Sequence, residues 1–95
     1  MKKIILGRGE GKTDQLIQLS SELFNYIVCA NRVEANRIQE RAIQLGLDIP
    51  LPITYSDFVE RRYNRRGCKG FLIDNVEHFV QSLTIVPVNA ITLSV

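Results

Sequence analysis

The sequence predicts an α/β domain of three layers, with a mainly parallel sheet of four to five strands and helices on both faces. Three observations predict it. Short apolar runs of strand length recur at 2–6, 26–30, 70–74 and 90–95, and a run apolar on both faces is how a strand inside a parallel sheet reads. Amphipathic segments with helical spacing lie between these runs. Strand and helix in alternation imply right-handed crossovers that place helices on both faces. A length of 95 residues predicts one domain over 1–95 with a single modest core.

Residues 2–6 (Lys-Lys-Ile-Ile-Leu) read as the first strand. Lys12 to Phe24 reads as a helix, with Leu16, Ile17, Leu19, Leu23 and Phe24 facing the core. Tyr26 to Ala30 is the second strand. Asn31 is placed to N-cap a helix over 32–45, with Glu34 at the capping-box position and Gly46 as its stop. Ala35, Ile38, Ala42 and Leu45 form its inner stripe.

Leu47 to Pro52 is a connection that its prolines keep out of helix. Ile53 to Tyr55 reads as a short extra strand. Ser56 is expected to cap a helix from Asp57 to Tyr63, with Phe58 and Val59 inward. Gly70 to Asp74 is a further strand. Val76, Phe79, Val80 and Leu83 mark a short amphipathic helix, and Ala90 to Val95 is a last strand, expected inside the sheet.

Chemistry concentrates between the first strand and the first helix. Gly7-Arg8-Gly9-Glu10-Gly11-Lys12-Thr13 is a glycine-rich turn ending in Gly-Lys-Thr at a helix start. Glycines let successive N–H groups converge on phosphate oxygens. The helix start adds unpaired donors and partial positive charge. Lys12 suits the β/γ-phosphates, and the Thr13 hydroxyl suits Mg²⁺. The strict spacing G-x-x-x-x-G-K-[ST] would begin with glycine at position 6, where this chain has Leu6. A glycine-rich hairpin turn is the bland alternative.

On these residues the chain resembles the P-loop NTPase superfamily. The loop is most similar to the GRGxGK[ST] loops of bacteriophage ATPases, DNA-packaging terminases among them. The resemblance implies ATP with Mg²⁺, and a phage or prophage product acting on DNA in the host cytoplasm. It implies that the last strand lies between the strands ending at Leu6 and Asp74. It makes Asp74, after Phe71-Leu72-Ile73, the acidic strand end facing the Mg²⁺ held by Thr13. Similar hydrolytic proteins carry Glu directly after that Asp. Here Asn75 stands there and Glu77 is the next carboxylate, so Asn75 and Glu77 are the candidates for positioning water. An amide holds a water but cannot take its proton. Thr92 and Ser94 are candidates for a polar sensor.

Arg61, Arg62, Arg65, Arg66 and Lys69 put five cations within nine positions around Tyr63. A solvated loop, a nucleic-acid or phosphate contact, and an arginine acting in trans in a homo-oligomer are the three readings. His78 has no Cys/His cluster and reads as structural. Cys29 and Cys68 read as reduced thiols. A hydrophobic fraction of 45 % with 23 % charged residues suits a soluble globule, and a net charge of +2 does not by itself argue for nucleic acid. The apolar run ending at Leu6 is short for a signal core, and no stretch approaches a membrane span, so a cytoplasmic location is expected.

Two function classes follow. One is an ATP-binding and hydrolysing domain. The other is a non-hydrolysing oligomeric or DNA-binding accessory protein, partner to a larger phage protein, that retains the fold. A phosphotransferase is a third, for which 61–69 makes a short lid.

Overall fold

The computed structural model describes residues 1–5 and 11–94. Leu6, Gly7, Arg8, Gly9, Glu10 and Val95 lie outside the described residues, and with them most of the expected phosphate-binding turn. The described elements are α1 (Lys12–Leu23), β1 (Tyr26–Cys29), α2 (Arg32–Gln44), β2 (Ile53–Thr54), α3 (Tyr55–Val59), β3 (Phe71–Ile73) and α4 (Val76–Ser82). The protein is thus mixed α/β, with a parallel three-stranded sheet and four helices among the described residues.

The strand order is β2-β1-β3. Val28 and Cys29 pair with Ile53 and Thr54, and Tyr26, Ile27 and Val28 pair with Phe71, Leu72 and Ile73. All three strands therefore end on one edge, at Cys29, Thr54 and Ile73. Alternation along β1 sorts its side chains to two cores. Ile27 and Cys29 pack with Leu16 and Ile17 of α1, Ala35, Ile38 and Ala42 of α2, and Ile49. Val28 packs with Ile53 and Tyr55 on the other face, where Phe58 and Phe79 bring in α3 and α4.

Local chemistry explains the element ends. Asn31 accepts the Glu34 N–H at 2.9 Å, as its cap position predicts. Gly46 takes φ +70° after α2, a region where a side chain is strained. Ser20 is buried in α1, and its hydroxyl donates to the Asn25 carbonyl at 2.7 Å, closing the turn into β1.

Five expectations need correction. Residues 2–5 form no strand, and neither do 90–94. A strand needs a ladder partner for its N–H and C=O groups, and among the described residues these segments have none. Ile91 and Leu93 remain 41 % and 52 % exposed. The first helix stops at Leu23, because Phe24 turns left-handed at φ 52°; Leu23 and Phe24 are 50 % and 44 % exposed rather than in the core. The cap of α3 is Thr54, not Ser56. The Thr54 hydroxyl accepts the Asp57 N–H and the Asp57 carboxylate accepts the Thr54 N–H, both at 3.1 Å, which completes a capping box one residue after the strand. That helix ends at Val59 instead of Tyr63, since Arg61 is left-handed at φ 60°. Finally, the inner stripe of α4 is shallow: Val76 and Leu83 are exposed and only Phe79 and Val80 are half-buried.

Candidate functional site at the strand ends

Lys12 is the first residue of α1, after Gly11 at φ 75°. Its Nζ donates to Asn75 Oδ1 at 2.5 Å. Asn75 follows Asp74 at the end of β3 and precedes α4, in a left-handed conformation at φ 55°, ψ 70°. Two residues 63 positions apart in the chain are thus joined at the C-terminal edge of the sheet. That edge is where parallel α/β sheets bind ligands.

Asp74 lies beside this pair. Its N–H donates to Val28 O at 2.9 Å, carrying the β1–β3 ladder to its last rung. Its Oδ1 is buried and has no hydrogen-bond partner among the described residues. Burial pushes the carboxyl above its ordinary range; Lys12 pulls it down, Glu34 pushes it up and His78 pulls it down, and burial prevails. An orphaned, partly desolvated carboxylate oxygen suits a cation or a tightly held water. Thr13 is exposed on the first turn of α1, directly after Lys12. Among the described residues, no group of three or more His, Cys, Asp or Glu side chains gathers there.

Tyr55 is a site feature with no signal in the sequence. It is the first residue of α3 and 6 % exposed. Its hydroxyl donates to the Asp74 carbonyl at 2.6 Å and lies 3.2 Å from the Asn75 carbonyl. Burial, then Asp74, Cys29 and Glu77, push its pKa up to about 12, so it stays a donor at neutral pH. Its ring meets Phe79 edge-on at 5.2 Å.

Glu77 is exposed on the first turn of α4 and lines a shallow cleft of about 230 Å³ with Gln81 and residues 88–91. His78 is exposed as well. Cys29 is buried, and burial raises its thiol to about 11, which makes it an inert packing group.

The basic segment divides. Arg62 is held by Asp57 at 3.1 Å and also pairs with Glu60. Tyr63 packs on Phe71 at 4.9 Å and Tyr26 at 6.2 Å, anchoring the segment to the aromatic core. Arg61, Arg65, Arg66 and Lys69 are exposed. They precede β3 in the chain, and the Lys12–Asn75 contact follows it. Arg8, Gly7, Gly9 and Glu10 fall outside the described residues.

No family model, curated protein or solved structure matches the chain. Among the described residues, no helix is long and apolar enough to cross a membrane.

Proposed function

We propose that the chain is a minimal P-loop domain that binds Mg·ATP at the edge formed by Lys12, Thr13, Asp74 and Asn75. One observation carries the reading: Lys12, the last-but-one residue of a Gly-Lys-Thr helix start, meets the turn after the acidic strand end, beside a buried carboxylate oxygen that lacks a partner. Gly7, Arg8, Gly9, Glu10 and Gly11 would supply backbone donors to the phosphates, Lys12 a charge, and Thr13 with Asp74 the oxygen ligands for Mg²⁺. Such cradling is electrostatic and needs few side chains.

The same reading carries the three-layer sheet of four to five strands, with the segments 2–6 and 90–95 as the candidates to extend it beyond β3. It is supported by the outer edge of β3, unpaired among the described residues, and by Lys3 Nζ donating to the Ser94 carbonyl, which joins the two segments.

The test is Mg·ATP titration of the wild type against Lys12→Ala, read by calorimetry and melting temperature. The wild type binds and is stabilised, by about 2.7 kcal/mol at a hundredfold excess over Kd; Lys12→Ala is not. A wild type that ignores Mg·ATP sinks the proposal.

A second reading is a non-hydrolysing accessory protein, oligomeric or DNA-bound, in a phage process. Asn75 favours it: the partner of Lys12 is a neutral amide that cannot take a proton from water. Phosphate release over hours with Mg·ATP separates the two. Steady turnover, lost in Glu77→Gln, supports hydrolysis; binding without release supports the accessory role.

A further inference from the structure

The geometry assigns Tyr55 as the residue that positions the Asp74–Asn75 turn for phosphate binding, an inference that rests on the nucleotide reading above. Asn75 has an L side chain in a left-handed conformation, which carries a backbone cost. Something must hold it there. Its side chain makes no cap bond to α4, so the turn lacks the usual local lock. Tyr55 supplies a distant one. The buried hydroxyl reaches the two carbonyls that flank the Asn75 Cα, those of Asp74 and Asn75, at 2.6 and 3.2 Å. The Asn75 carbonyl also accepts the Phe79 N–H at 3.0 Å, the first rung of α4. Tyr55 therefore ties strand end, turn and helix start together.

The consequence reaches Lys12. Asn75 Oδ1 sits where it receives Lys12 Nζ only while the turn keeps its backbone shape. Tyr55 is itself held by the capping box of Thr54 and Asp57 immediately around it and by the Phe79 ring. Its hydroxyl touches neither Lys12 nor the Asn75 side chain, so it acts through the turn. It is a positioning residue for the phosphate-binding lysine.

Tyr55→Phe keeps the ring and its packing and deletes the hydroxyl. We expect Mg·ATP affinity to fall about tenfold. Amide exchange is expected to quicken at residues 74–77 while Ile27–Cys29 stay protected. Replacing the hydroxyl by an amino group on the same ring restores a donor and rescues both. A purely structural role would show no such local pattern: it would lower the melting temperature, quicken exchange throughout the sheet and resist rescue. Equal Mg·ATP affinity for Tyr55→Phe and a binding-competent wild type overturns this inference alone. A wild type that binds no Mg·ATP overturns the nucleotide reading and the role of Tyr55 with it. Should Tyr55→Phe fail to fold, the amino-substituted ring decides: a folded protein with wild-type affinity upholds the donor's role, and a folded protein with weakened affinity overturns it.

Discussion

Asp74 carries an unfavourable charge in the folded state. Burial raises its pKa above the ordinary value of 3.8, so the folded chain holds that proton more tightly than the unfolded one. The sign follows by linkage. Stability contributed at this position is present below the unfolded value and is lost as pH rises through the folded one. Asp74→Asn, which cannot ionise, is therefore expected to melt higher than the wild type at pH 7. The gap should narrow as pH falls toward 3.8, and the stabilisation by Mg·ATP should vanish. A lower melting temperature for Asp74→Asn at pH 7 would show that the carboxylate is satisfied by a partner.

At the scale of elements, short pieces depend on their caps. The five residues of α3 are too few to hold a helix by propensity. The reciprocal bonds between Thr54 and Asp57 do so, and Asp57 also takes Arg62 at 3.1 Å and Arg32 at 3.0 Å. Thr54→Ala is expected to cost about 1 kcal/mol, measured by urea unfolding. It should also loosen Tyr55, which begins that helix. Thr54→Ser keeps the hydroxyl and should cost less. No difference between the two variants would mean that Asp57 alone caps α3. The sequence reading puts this cap at Ser56, two residues late. What decides for Thr54 is the strand, whose extended end at ψ 166° aims the Thr54 hydroxyl at the Asp57 N–H.

Across the whole molecule the basic segment and the Lys12–Asn75 contact stand on either side of β3 in the chain. Exposed Arg61, Arg65, Arg66 and Lys69 stand before β3, and the Lys12 edge lies beyond it. If the basic segment contacts DNA, neutralising Arg61, Arg65 and Arg66 together should weaken binding and flatten its salt dependence. Arg62→Gln should do less to affinity, because that guanidinium is already taken by Asp57 and Glu60. Mg·ATP affinity should be unchanged in the triple variant. An unaltered salt slope would reduce the segment to a solvated loop, and a coupled loss of nucleotide affinity would point to a role at the phosphate edge, in trans.

The sequence alone determined much of the order of elements. Apolar runs at 26–29, 53–54 and 71–73 became strands, and the periodicity of 32–44 became a helix, because those patterns record local geometry and one-sided burial. Gly11-Lys12-Thr13 at a helix start and Asp74 at a strand end were legible for the same reason, as positions along single elements. Tertiary structure decided the rest. Residues 2–5 and 90–94 carry strand-like sequence yet stand without a ladder, since apolar alternation does not supply a partner edge. Leu23 and Phe24 left the core when the chain turned back at Phe24. Above all, neither Lys12 nor Tyr55 announces Asn75 in the sequence. Parallel pairing of β2, β1 and β3 brings the ends of distant segments to one edge, and only there do a lysine, a tyrosine and a left-handed asparagine meet.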